Sequence, residues 1–191
     1  MAEVSNTLLL TDEELAALSV SDTVYFGELI RRYSDTLIRY VLRRSHATRE
    51  DAEDIVQNSF IKMYRNINDF DSTLKFSSWA YRITHNETID WYRKKQSRPQ
   101  LYIGNEDENI FDSIASDINI EKEIINKEIK KEIENIIQTL DPKYQEIISL
   151  RFFEDKNYDE IADILQIPPG TVAIRLSRAK KLLKEKLANY L

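Results

Sequence analysis

From Phe26 the apolar residues Phe26, Ile30, Tyr33, Leu37 and Val41 recur at steps of three or four, the spacing that lays one stripe along a helix facing a core. A second stripe, Ala52, Ile55, Val56, Phe60 and Met63, follows Thr48. The Thr48 hydroxyl can cap a helix there, with Asp51 in the first turn where a carboxylate also meets the positive end of the dipole. This helix is predicted to run to about Asn66. The stretch Asn66-Ile-Asn-Asp-Phe-Asp-Ser-Thr is rich in residues that bond their own backbone, so it reads as a loop until Ser77 caps a third helix. That helix carries Trp79, Ile83, Ile89 and Trp91 and ends in Arg93-Lys94-Lys95.

A second block opens with Ile125, Ile129, Ile133, Ile136 and Leu140, again at helical spacing. Asp141-Pro142 supplies a cap and then a proline at the first helical position, predicting a short helix through Phe152. Asn157 with Glu160 predicts the next start, Gln166-Ile-Pro-Pro-Gly170 a tight turn, and Thr171 the beginning of the last helix. No internal repeat is visible.

Composition agrees with this pattern. Only 3 Gly and 4 Pro occur in 191 residues, little material for the turns of a β-rich fold. The prediction is an all-α chain of two small helical domains joined by an acidic linker. The expected boundaries are an N-terminal extension over 1–20, a first domain over 21–97, the linker over 98–121 and a second domain over 122–191. In the linker Glu106, Asp107, Glu108, Asp112 and Asp117 lie in a stretch without Lys or Arg between Arg98 and Lys122. Its Leu101, Tyr102, Ile103, Ile110, Phe111 and Ile114 are more apolar than a simple tether needs.

Charge and chemistry narrow the function. The chain has no cysteine, and its two histidines, His46 and His85, have no partner at metal-ligand spacing; no metal or other cofactor is expected. No apolar run approaches the ~20 residues that span a bilayer, and the start lacks a secretory signal's basic flank, so a cytoplasmic location is expected. A net charge of -6 argues against coating nucleic acid by bulk electrostatics. Locally the balance reverses: from Thr171 to Leu187 the residues Arg175, Arg178, Lys180, Lys181, Lys184 and Lys186 face Glu185 alone. Val172, Leu176, Ala179, Leu183 and Leu187 form one face of that helix, with Ile174, Ser177, Arg178 and Lys181 opposite and Arg175 and Lys180 on the flanks. A short helix, a tight turn and a basic second helix make the pattern of a DNA-reading helix-turn-helix. Arg178 and Lys181 would reach phosphates or guanine edges and Ile174 a thymine methyl. The bland alternative is a solvated basic helix end, favourable for the dipole alone.

Asp51-Ala-Glu-Asp-Ile-Val-Gln57, Phe76-Ser-Ser-Trp-Ala-Tyr-Arg-Ile83, Asn86 and Asp90-Trp-Tyr-Arg93 resemble region two of the extracytoplasmic-function (ECF) sigma factors, of the sigma-70 family of bacterial RNA polymerase. Tyr158-Asp-Glu-Ile-Ala-Asp-Ile-Leu, Gly170-Thr-Val and Arg178-Ala-Lys resemble their region four, in the right order and at the right separation. Together these matches cover most of the chain from Tyr25 to Leu187.

The resemblance implies a non-enzymatic subunit that binds core polymerase and directs promoter recognition, strand opening and initiation. Asp51, Asp54, Ile55 and Gln57 would dock on the clamp helices of the polymerase's largest subunit, and the second domain would meet the flap of the second-largest. The loop Asp69 to Phe76 and the following helix correspond to the reader of the minus-ten element, which captures an unstacked base. Lys75, Phe76, Tyr81, Arg82, Asn86 and Arg93 are the expected contacts, and aromatic platforms with cationic tracks suit single-stranded bases. Trp79 and Trp91 read equally as core residues, and Trp79 is assigned to the core. Thr171, Ile174, Arg175, Ser177, Arg178 and Lys181 are the expected minus-thirty-five contacts. Glu106, Asp107, Glu108 and Asp112 resemble a linker that mimics phosphate charge inside the polymerase, and an anti-sigma partner is implied. The chain departs from the family at Ala173-Ile174, where many members carry a basic residue and a serine, so the minus-thirty-five sequence is not transferable. Two rivals stand beside this reading. A dimeric helix-turn-helix regulator needs an interface that no segment marks. An enzyme is the other, and for it the sequence offers no cysteine, no His-carboxylate cluster and no phosphate-cradling Gly-rich loop.

Overall fold

The computed structural model describes residues 9–45, 47–97, 133 and 135–188, and among these no strand occurs. The acidic residues Glu106, Asp107, Glu108 and Asp112, the linker around them, and the stripe from Ile125 to Ile129 lie outside the described residues. In the first block, α1 spans Asp12–Leu18, α2 Thr23–Arg44, α3 Arg49–Arg65 and α4 Phe76–Ser97, with a 3-10 turn over Ile67–Asp69. In the second, α5 spans Pro142–Ile148 and widens into a π turn over Ser149–Phe153, followed by α6 at Tyr158–Leu165 and α7 at Pro169–Ala188.

Most starts follow from local chemistry. The Thr48 hydroxyl accepts from the Asp51 N–H at 3.1 Å while the Asp51 carboxylate accepts from the Thr48 N–H at 3.2 Å, closing the box that begins α3. Asn157 and Glu160 do the same for α6 at 2.9 and 2.8 Å. Asp141 accepts from Lys143 ahead of α5, with Pro142 at the first position. Each bond satisfies one of the four N–H groups that a helix start leaves without an internal partner.

Three local expectations need correction. The helix α1 has no counterpart in the sequence reading; Thr11 and Glu14 form its capping box, and Leu15 and Ala16 bury it against the first block. α4 begins at Phe76, so Ser77 sits inside the first turn rather than capping it. The Phe76 N–H donates instead to Glu13 Oε1 of α1 at 2.9 Å, and Ser77 Oγ accepts from Lys156 Nζ at 3.1 Å. In the helix-turn-helix, the left-handed residue is Gln166, with φ 52°, while Gly170 lies within α7, which starts at Pro169. A Cβ on Gly170 would meet nothing within 4 Å, so neither conformation nor space demands glycine there.

Leu15, Leu29, Leu37, Tyr40, Met63, Phe76 and Ala80 from the first block, and Ile147, Leu150, Ile161, Ile164 and Leu176 from the second, belong to one continuous core cluster. An aromatic group joins the buried Phe76 and Trp79 to the partly buried Phe70, with centroids 5.2 to 5.7 Å apart. Trp79 is buried, as assigned. Val172, Leu176 and Ala179 seat α7 on this core, each no more than 1% exposed. Truncating Leu176 to Ala is expected to cost about 2–5 kcal/mol, because the emptied site refills only in part.

Candidate nucleic-acid and polymerase interfaces

The outer face of α7 is free of core contacts. Ile174, Ser177, Arg178, Lys180 and Lys181 are exposed, whereas Thr171 and Arg175 are half-buried at its edge. Ile174 keeps 55% of its surface, and Lys181 has Glu185 3.9 Å away across one turn. Lys180 lies over the ring of Phe152, 5.5 Å from its centroid. The helix thus presents a cationic, groove-sized ridge whose opposite side is anchored, the geometry needed to carry side chains to phosphates and base edges.

On α3, Asp54 and Gln57 are exposed and Asp51 half-buried. Asp51 Oδ2 also lies 3.6 Å from Lys95 Nζ, which stacks 4.5 Å over the Trp91 ring. Ile55, only 3% exposed, faces the core; its expected place on the polymerase-facing surface is corrected, because a residue one position from Asp54 on a helix points to a different side. The exposed stripe continues instead through Asn58, Ile61 and Tyr64. Ile61 and Tyr64, four and seven residues from Gln57, are exposed at the helical spacing that extends this stripe.

The expected minus-ten residues do not share one environment. Phe76 is fully buried within the aromatic group, so it shapes the α4 entry from below, and its expected direct contact with DNA is corrected on that ground. Asn86 and Arg93 are exposed, Arg93 with Asp90 3.9 Å away. Lys75, Tyr81 and Arg82 meet the second block. Lys75 Nζ pairs with Glu160 Oε1 at 3.0 Å and Arg82 Nη1 with Asp163 Oδ1 at 2.8 Å. The Tyr81 hydroxyl donates to Glu154, whose other oxygen accepts from Arg43. Lys156 Nζ lies 4.7 Å from the Tyr81 ring centroid.

The π turn and the left-handed Asp155 (φ 47°) carry the chain from α5 so that Glu154 enters this contact. Burial pushes the Tyr81 hydroxyl above its ordinary pKa, reinforced by Glu154. Burial likewise pulls the Lys156 ammonium down, against the attraction of Glu160 and Glu154. At the other end, Glu146 Oε1 lies 2.8 Å from His85 Nδ1 and 2.7 Å from Arg44 Nη2, with Tyr40 Oη 3.3 Å from the same imidazole nitrogen. Burial opposes the charge on Glu146, but His85 and Arg44 outweigh it and hold the carboxyl below the usual range. Glu160 is also lowered: burial works against it, and the Asn157 N–H and Lys75 prevail. Sequence reasoning placed Glu160 only as a helix cap and Asp163 only within a motif, and it did not foresee the pairing of Glu146, Glu154, Glu160 and Asp163 with the first block.

Two family models match the chain, sigma-70 region 2 over residues 29–98 and sigma-70 region 4 over residues 130–183. The ECF RNA polymerase sigma factor SigW of Bacillus subtilis is 32% identical over 185 residues, covering 94% of this chain and 97% of that relative. The chain belongs to the ECF sigma factors. The ECF RNA polymerase sigma-E factor of Haemophilus influenzae is 30% identical, covering 93% of this chain and 96% of that protein. Among solved structures, CnrH in complex with the cytosolic domain of CnrY shares the fold, at a TM-score of 0.67 and 24% identity over 93% of this chain and 97% of that one. The sigma factor RpoE of Bartonella quintana, solved with the anti-sigma factor NepR, has a TM-score of 0.65 at 21% identity over 85% and 96%.

As a member of this family the chain is an RNA polymerase sigma factor: it binds core polymerase and directs promoter recognition, strand opening and initiation. The region 2 match takes in α2 from Leu29 onward, α3 and α4, and the region 4 match takes in α5, α6 and α7 as far as Leu183. Among the described residues no helix is long and apolar enough to cross a membrane, and no group of three or more acidic or histidine side chains is placed to hold a metal.

Proposed function

We propose that this sigma factor reads promoters with two surfaces of opposite availability, one open on α7 and one covered on α4, and that polymerase binding uncovers the second. Residues 21–97 act as region 2, 98–121 as the connector and 122–191 as region 4. Asp54 and Gln57, bordered by Asp51 and extended by Ile61, dock on the clamp helices of the largest polymerase subunit. The second domain meets the flap of the second-largest subunit. Lys75, Tyr81, Arg82, Asn86 and Arg93 engage the opened minus-ten strand, while Thr171, Ile174, Arg175, Ser177, Arg178 and Lys181 engage the minus-thirty-five duplex. The factor itself catalyses nothing, works in the cytoplasm and is silenced by an anti-sigma partner.

The observation that carries this reading is the pairing of Lys75, Tyr81 and Arg82 with Glu160, Glu154 and Asp163. Carboxylates there satisfy the same cations and hydroxyl that would otherwise follow a phosphate backbone. A negative chain becomes a specific DNA binder once polymerase supplies nonspecific affinity and holds both readers at high effective concentration. Runoff transcription with bacterial core polymerase on a promoter library tests it. Protein-dependent initiation enriching a two-element promoter is expected. No stimulation by a core enzyme that responds to a control sigma factor would overturn the reading.

A further inference from the structure

The start of α4 is built from three segments distant in sequence. Lys75 immediately precedes the helix, and its ammonium has no acceptor with which to cap it. The acceptor comes from α1: Glu13 Oε1 takes the Phe76 N–H at 2.9 Å. Asp12, beside it, accepts from Arg32 Nη1 at 2.7 Å and from the Tyr33 hydroxyl, and Tyr33 packs edge-on against Phe76 with centroids 5.4 Å apart. Arg32 also donates to the Leu10 carbonyl at 3.0 Å. Neighbouring carboxylates of α1 therefore hold the helix entry by its backbone and by its aromatic side chain. On the far side, Asp71 Oδ1 accepts from the Thr73 N–H and hydroxyl at 2.9 and 2.7 Å, closing the loop that leads to Lys75.

We infer that Glu13 is a positioning residue for minus-ten recognition: by capping α4 at Phe76 it fixes where the Asp71–Lys75 loop stands relative to the exposed Asn86. This rests on the reading of α4 as the minus-ten surface. A fixed loop matters because base discrimination depends on holding the contacting groups in one geometry, whereas attraction to phosphate does not. The carboxylate has a second consequence. It occupies a helix N-terminus that would otherwise attract a phosphate without regard to sequence, so its loss removes selectivity without removing affinity. A merely structural role would lower both together.

The test uses holoenzyme assembled from core polymerase and the full chain, transcribing a promoter library randomised through the minus-ten region. Glu13→Ala is expected to lower discrimination between the best and the singly substituted minus-ten sequences by up to about fivefold, the factor by which losing a helix cap would depopulate the ordered α4 entry. Minus-thirty-five preference and total DNA retention should hold. Glu13→Gln keeps a neutral acceptor and should restore most of the discrimination. Amide exchange at Phe76 in the free chain should quicken in Glu13→Ala and recover in Glu13→Gln, reporting the cap independently of transcription. Unchanged minus-ten discrimination despite faster Phe76 exchange would overturn the inference, as would an equal loss of preference at both promoter elements. Asn86→Ala serves as the control for the underlying reading. If it too leaves minus-ten preference unchanged, the assignment of α4 fails and the role of Glu13 fails with it.

Discussion

The two basic surfaces, on α7 and on α4, differ less in composition than in what faces them. On α7, Arg178 and Lys181 stand exposed on a ridge whose opposite side is anchored by Val172, Leu176 and Ala179. On α4, Lys75 and Arg82 are comparable cations, yet Glu160 and Asp163 sit within 3.0 Å of them. The same second block that presents one reader therefore closes the other. An acidic protein can hold a basic reading face with its central groups Tyr81 and Arg82 engaged from within, carboxylates taking the place of the phosphate while Lys75, Asn86 and Arg93 stay exposed.

The sharpest way to break this contrast is at Glu154, whose side chain is 3% exposed between Arg43 and Tyr81. Removing one partner of a buried charge pair weakens the arrangement by roughly 3 kcal/mol, and a masked site gains apparent affinity as its open fraction grows. Glu154→Ala should therefore raise the free chain's affinity for a single-stranded minus-ten oligonucleotide on the order of tenfold or more by fluorescence anisotropy. Duplex minus-thirty-five binding should not move. An equal change at both would dissolve the contrast.

At the open surface, Arg178→Ala should cost about tenfold in minus-thirty-five selection, the scale of one base contact, while minus-ten preference stays put in the same promoter library. The outer pairs should give less. Lys75 is 66% exposed, and Arg82 and Asp163 are 27% and 34% exposed, so solvent screening limits each pair to about 0.2–1 kcal/mol. Asp163→Asn should raise oligonucleotide binding by less than about fivefold on that scale, with the gain fading as salt increases.

The smallest effect expected near neutrality is that of pH. Glu146 and Glu160 titrate below their ordinary value of 4.5 in the folded chain. A carboxyl whose pKa is lowered by folding contributes stability that is present above the unfolded value and is lost as pH falls through the folded one. Contact between the blocks, followed by energy transfer between dyes on α3 and α7, should thus weaken as pH falls below about 4.5.

What the sequence disclosed follows the range of the interactions. The starts at Thr48, Asp141 and Asn157 were legible because their bonds close within three residues. The wheel of α7 was legible because Val172, Leu176 and Ala179 are buried by one helical period. The start of α4 was misread at Ser77 because its acceptor, Glu13, is 63 residues away. The turn before α7 drew attention to Gly170, although Gln166 takes the left-handed position, a conformation open at modest cost to other residues. The family resemblance pointed to Lys75, Tyr81 and Arg82, but nothing in their spacing announces Glu154, Glu160 and Asp163. Those carboxylates read as ordinary first-turn and surface residues until two blocks are docked.

Whether the covered state must open can be tested by holding it shut. The chain has no cysteine, and the Lys156 ammonium lies 3.1 Å from Ser77 Oγ across the junction. Cysteines at both positions, joined by a short bifunctional thiol reagent, would tie α4 to the second block without replacing a proposed reading residue. Runoff transcription with core polymerase should be lost in the bridged protein and retained when each cysteine is capped separately. A bridged protein that initiates as well as its separately capped counterpart would contradict the account, because the minus-ten reader would then work without being uncovered.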